Sequence, residues 1–103
     1  YTLYVETLPV PLSFDWNAGN IDKNWDKHKV HFKEAEEVFL NKPLLIFPDT
    51  KHSVTEKRFQ ALGITDDDRL LSIFFTIRTR KIRVISARDQ NKKERVKYAK
   101  KEN

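Results

Sequence analysis

The spacing of apolar residues changes once along this chain, and that change constrains the fold more than any other feature. Before Lys42-Pro43 the spacing is helical. Ile21, Trp25 and His28 fall at i, i+4 and i+7, and Phe32, Ala35, Val38 and Phe39 form a second stripe. After it come short runs that read as strands: Leu44-Leu45-Ile46-Phe47, then Arg58 to Ile64, Leu70 to Arg78, the longest, in which β-branched and aromatic residues dominate, and Lys81 to Ala87. Pro48-Asp49, the run Asp66-Asp67-Asp68 and Thr79-Arg80 punctuate them, so the strands read as an antiparallel meander with short connections. Helices segregated from a run of strands define the α+β class.

The flanks complete the order. Leu12-Ser13-Phe14-Asp15-Trp16 alternates apolar and polar residues and reads as a first strand. Asn17 is placed to cap the first helix, and Val30-His31-Phe32 ends that helix and starts the next. Asn91 with Glu94 three residues on has the form of a capping box for a last, basic helix from Lys92 to Lys101. Val96 and Tyr98 are its bulky apolar residues, which predicts weak docking and a frayed end. The expected order is strand, two helices, a four-stranded antiparallel meander and a C-terminal basic helix. Residues 12–103 form a single domain, and residues 1–11, with Pro9 and Pro11, an extended N-terminal arm.

The chain has 103 residues, enough for one domain with one modest core, and its twelve aromatic residues argue against disorder. With no cysteine there is no disulfide framework and no thiolate metal site. No apolar run spans a bilayer, and the first residues lack the pattern of a signal peptide, so a soluble cytoplasmic protein without membrane association is expected. Charge is unevenly distributed. Tyr1 to Ile77 carries 9 Lys or Arg against 12 Asp or Glu, and Arg78 to Asn103 carries 11 against 3. A basic block on a mildly acidic body suits a polyanionic partner, either nucleic acid or an acidic protein. A basic helix kept only for solubility has the same composition.

An ordered set of motifs resembles one family. Phe14-Asp15-Trp16-Asn17, Asn24, Lys27-His28, Val30 and Phe32 are followed by Ala35, Val38-Phe39, Asp49 and His52-Ser53. Glu56-x-Arg58-Phe59 with Gly63, Arg69-Leu70-Leu71, Phe75-Thr76-x-Arg78, the run Ile82 to Arg88, and Glu94-Arg95-x-x-Tyr98 complete it. From Phe14 to about Tyr98 the chain is similar to BrnT toxins. The resemblance implies a RelE-like α+β fold, a ribonuclease toxin that inhibits translation and growth, and neutralisation by a BrnA-type antitoxin. That antitoxin carries a ribbon-helix-helix domain, and DNA is reached only through the toxin–antitoxin complex. Asn17, Asn20 and Lys29 depart from the family pattern, which has Asp, Lys and Gly there. Lys29 in place of Gly predicts a bend without positive φ.

RNA carries its own nucleophile, the 2′-hydroxyl beside each phosphate, so cleavage needs neither a protein nucleophile nor a metal or other cofactor. It needs proton transfer and stabilisation of charge on phosphorus. Arg58, Arg78 and Arg88 are the candidate phosphate ligands, since a guanidinium fork meets phosphate bidentately, with Ser86 as a hydroxyl donor. Each arginine is equally suited to pairing with Glu56, Asp89 or another acid. In a meander, Arg58 and Arg88 need not lie at the same end as Arg78. His52, in a polar loop, is the candidate acid–base group, whereas His28 reads as a packing residue. Glu56 reads as a partner holding Arg58. Arg80, Arg83, Lys92, Lys93, Arg95 and Tyr98 are candidate RNA contacts, with Tyr98 able to stack or donate a proton, or to dock its helix. Trp16 and Trp25 read as core residues. Three histidines without regular ligand spacing supply no metal site. Two other classes stay open: a non-catalytic RNA- or ribosome-binding module, and a protein-interaction domain for an acidic partner.

Overall fold

A computed structural model describes residues 8, 9, 11–52 and 55–102, with residues 52, 101 and 102 as backbone alone. The predicted arm, residues 1–11, falls mostly outside them; Leu8 packs against the core and Pro9 is buried.

Helices α1 (Ala18–His28) and α2 (Phe32–Leu40) precede four strands, β1 (Leu45–Pro48), β2 (Phe59–Ile64), β3 (Leu70–Arg78) and β4 (Lys81–Asp89), and α3 (Lys92–Glu102) follows. The sheet is antiparallel in the order β1-β2-β3-β4, the expected meander. The predicted first strand is reduced to one parallel bridge, Phe14 to Ile82, in which the Asp15 amide donates to Ile82 and the Ile82 amide to Ser13, each at 2.8 Å.

Strand alternation separates two cores. Ile46, Phe59, Ala61, Leu71, Ile73, Phe75, Ile82, Val84 and Ala87 face α2, where Ala35, Val38 and Phe39 meet them. Gly63 lies on this side because α2 passes close by: a Cβ there would come 2.5 Å from Val38 Cγ1. On the other side Leu45 and Leu62 receive Tyr98 from α3.

α1 buries Asn20 and Asn24, not the predicted apolar face; Trp25 is 48% exposed. The reason is the edge of β4. Asn20 Nδ2 donates to the Val84 carbonyl at 3.3 Å, and the Ala87 amide donates to Asn24 Oδ1 at 2.9 Å. Two amide side chains, one turn apart, thus satisfy backbone groups that an edge strand leaves open. Asn17 caps α1 as expected, exchanging bonds with Asn20 at 2.8 and 3.0 Å. Trp16 is a core residue as expected, its indole donating to Glu36 at 2.7 Å.

The bend after α1 corrects another expectation. Lys29 has φ 54° and ψ 39°, so the left-handed cap is formed without glycine. Its amide bonds back to Trp25 at 2.9 Å and its ammonium sits over the Trp25 ring. Arg69 closes the same corner. It donates to the carbonyls of His28 and Lys29 and pairs with Glu34 and Asp89.

Candidate functional site

The sheet face opposite α1 and α2 is only partly covered. α3 lies over the β1–β2 side, and the pairing of β2, β3 and β4 arranges the remainder in rungs. Thr76 pairs with Arg83, and Arg58, one residue before the Phe59–Phe75 pair, comes opposite Thr76. The next rung is Gln60, Phe74 and Ser86, and the one after is Leu62, Ser72 and Arg88. A register shift between Phe74 and Phe75 adds Ile85 to β4, which brings Ser86 and Arg88 onto the same face as Arg83.

This geometry sorts the predicted arginines into two groups. Arg58 immediately precedes β2 and Arg78 closes β3, so antiparallel pairing puts both at one end, with Arg83 beside them. Arg88 stands two rungs away, about 13 Å at the rise of an extended strand. The first group lies at a cationic end, next in sequence to Lys57, Arg80 and Lys81, where Arg78 pairs with Glu56 and Arg83 with Asp15.

Glu56, expected to hold Arg58, pairs with Arg78. Arg78 Nε and Nη2 reach its two oxygens at 3.1 and 2.9 Å, and Arg78 stays 52% exposed. The Arg78 hydrogen bond, with the fields of Arg78, Arg58 and Arg83, outweighs burial and holds the Glu56 carboxyl below the usual carboxylate range. A carboxylate so stabilised is a weak base, so positioning Arg78 is what it can do best. Arg83 makes a long contact to Asp15, 3.4 Å. Arg58 is half-buried and has interactions of its own, and its carbonyl accepts from Asp49.

Arg88 is gripped by Glu94 at 2.7 and 3.0 Å. Glu94 also accepts from Gln60 at 2.8 Å, from Ser72 at 3.4 Å and from the Asn91 amide at 2.9 Å, the last within the predicted capping box. Burial pushes the Glu94 carboxyl up, but Arg88, Asn91 and Gln60 together bring it below the usual range. One carboxylate therefore caps α3, docks it on the sheet and holds Arg88, a role sequence spacing revealed only as the cap.

Ser86 is half-buried beside Phe74, and its hydroxyl has no hydrogen bond among the described residues. Arg80, in the β3–β4 turn with φ 63°, and Lys92 and Lys93, at the start of α3, are exposed. Arg95 is exposed and donates to the Gln90 carbonyl at 2.7 Å. His52 ends a short 3-10 turn, Thr50–His52, and its side chain lies outside the described residues. Tyr98 is a correction: it is 0% exposed, packed on Leu45 and Leu62, with its hydroxyl donating to Pro43 at 2.6 Å. It cannot stack on a base, and it docks α3 more firmly than its sequence suggests. Val96, by contrast, is 51% exposed. His31 is a cap, its Nδ1 accepting from the Lys33 amide at 3.2 Å. A shallow depression beside Trp16, Asn24, Val30 and Phe32 lies on the helical side, away from the arginines.

The fold and this face define a small α+β domain with a cationic, half-open sheet surface. The family model described as "Ribonuclease toxin, BrnT, of type II toxin-antitoxin system" matches residues 16–94, and the chain belongs to that family. No curated protein matches the chain. The family places it among the ribonuclease toxins, with RNA as substrate and an antitoxin as partner. No helix among the described residues is long and apolar enough to cross a membrane.

Proposed function

We propose that this chain is a metal-independent endoribonuclease of RelE-like architecture, acting in the cytoplasm, that cuts RNA through attack of the 2′-hydroxyl on the adjacent phosphorus. The new bond joins the 2′-oxygen to phosphorus and the bond to the 5′-oxygen breaks. The products are a 2′,3′-cyclic phosphate and a 5′-hydroxyl, with one proton removed at the nucleophile and one delivered to the leaving oxygen. Arg58 and Arg78 stabilise the charge gathering on the phosphoryl oxygens, helped by Arg83. Ser86 and Arg88 bind a neighbouring part of the strand, and Arg80, Lys92, Lys93 and Arg95 draw the polyanion in. His52, in the loop that also carries Glu56, is assigned proton transfer. A BrnA-type antitoxin with a ribbon-helix-helix domain neutralises the toxin and carries the complex to DNA.

One observation supports this reading most: Arg58, Arg78 and Arg83 share one end of a half-open sheet face. RNA phosphate must displace Glu56 from Arg78, an exchange of one bidentate anion for another. Expression of the chain should arrest growth and shorten cellular RNA, and Arg58→Ala or Arg78→Ala should relieve both. Unimpaired growth with folded wild-type protein present would refute it.

A second reading is a non-catalytic RNA-binding module, favoured by the engagement of Arg78 and Arg88 with carboxylates. It predicts salt-sensitive binding with RNA left intact.

A further inference from the structure

Phe74 occupies the centre of the half-open sheet face, between the buried Ser72 and Thr76 on its own strand. Its rung partners are Gln60 and Ser86, with the Arg58–Thr76–Arg83 rung on one side and the Ser72–Arg88 rung on the other. It is half-buried and belongs to neither hydrophobic cluster, unlike Phe14, Phe39, Phe47, Phe59 and Phe75; Phe32 also lies outside both, but its ring packs on those of Trp16 and His31. Phe47 also points away from the main core, but it is packed on the smaller cluster and lies under the ammonium of Lys97, 3.7 Å from its ring centroid. Phe74 has instead the guanidinium of Arg88 over its ring, 5.6 Å from the centroid, held in place by Glu94. A large apolar ring set among polar and cationic side chains, outside both clusters, is placed where a ligand can reach it.

We propose that Phe74 is a base-stacking platform for single-stranded RNA, the base taking the part of the ring that Arg88 does not cover. This rests on the RNA reading above and specifies how the strand is held. An aromatic ring accepts the π-face of any base, and an arginine plane adds a cation–π contact. The two arginine groups are about 13 Å apart along the strands, and Phe74 lies one rung from each. A strand spanning both can therefore place a base on Phe74 while its phosphates meet arginines on either side. Double-stranded RNA, whose bases are already stacked, cannot use the ring in this way.

The test measures binding of the full chain to a 2′-O-methyl single-stranded oligoribonucleotide, which lacks the nucleophile and is not cut by 2′-hydroxyl attack. Phe74→Leu, which keeps apolar bulk, should raise Kd by roughly 5- to 150-fold, the range for one lost base stack. The slope of log affinity against log salt should stay unchanged, since no charge is lost, and Phe74→Trp should recover binding. Arg78→Gln should lower that slope by about 0.7 for one single-strand phosphate contact. If Phe74→Leu binds as wild type does while Arg78→Gln is weakened, stacking is overturned and the RNA reading survives. If Phe74→Leu keeps RNA binding but loses the antitoxin, the ring belongs to a protein interface and the proposal fails. If wild type binds no RNA, both fall together.

Discussion

Glu94 concentrates three tasks in one carboxylate, so its titration should be visible in the stability of the whole chain. Its carboxyl is held below the usual range in the folded state, which makes it more acidic than in the unfolded chain. Its contribution is therefore complete above about pH 5 and is lost as pH falls through its folded value. Asp89, lowered mainly by its hydrogen bond to Arg69, acts in the same direction. Glu94→Gln should cost about 1–2 kcal/mol at neutral pH and flatten the acid limb of a stability–pH curve measured by denaturant unfolding. An equally steep acid limb in the variant would assign the titration elsewhere. Lys29 gives a prediction of opposite sign. A left-handed φ at a residue with a Cβ is strained, so Lys29→Gly should stabilise the fold by about 0.5–1 kcal/mol, with a higher urea midpoint. The identity of Lys29 pointed away from such a bend; backbone hydrogen bonds from Lys29 to Trp25 and from Val30 to Asn24 over-determine it.

Elements were legible wherever one period ran without competition. The meander followed from its β-branched runs and short turns, and the two caps Asn17 and Asn91 followed from residue type. What could not be read was which face of α1 turns inward. Hydrophobic spacing selected Ile21, Trp25 and His28, but the exposed edge of β4 needs donors and acceptors, and Asn20 and Asn24 supply them. Removing such a partner leaves a buried amide unsatisfied. Asn24→Ala should thus cost about 1–3 kcal/mol, whereas Trp25→Ala, at an exposed position, should stay within about 0.5 kcal/mol in thermal unfolding. The reverse order would restore the apolar face as the docking surface. α3 was misjudged for a related reason: its basic composition hid the fact that Tyr98 and Glu94, four residues apart, share the face that meets the sheet. The strand expected at residues 12–16 reduces to a bridge because the chain pairs only at Ser13 and Asp15 before Asn17 starts α1.

At the scale of the molecule, the uneven charge acquires a location. The C-terminal basic block folds so that β4 and the β3–β4 turn bring their cations beside Arg58 and Arg78, while Arg88 is turned to the same face by the β4 bulge. The sequence indicated which arginines to consider; their division into two groups depended on strand register, which residue types do not encode. Phe74 escaped notice because a phenylalanine in a strand is normally a core residue. The most direct test of the account is incubation of end-labelled single-stranded RNA with purified protein in the presence of a chelator. The account predicts fragments ending in 2′,3′-cyclic phosphate, with cleavage at least about 100-fold slower for Arg58→Ala and Arg78→Ala. RNA left whole by folded wild-type protein, or cut at wild-type rate by both variants, would contradict it.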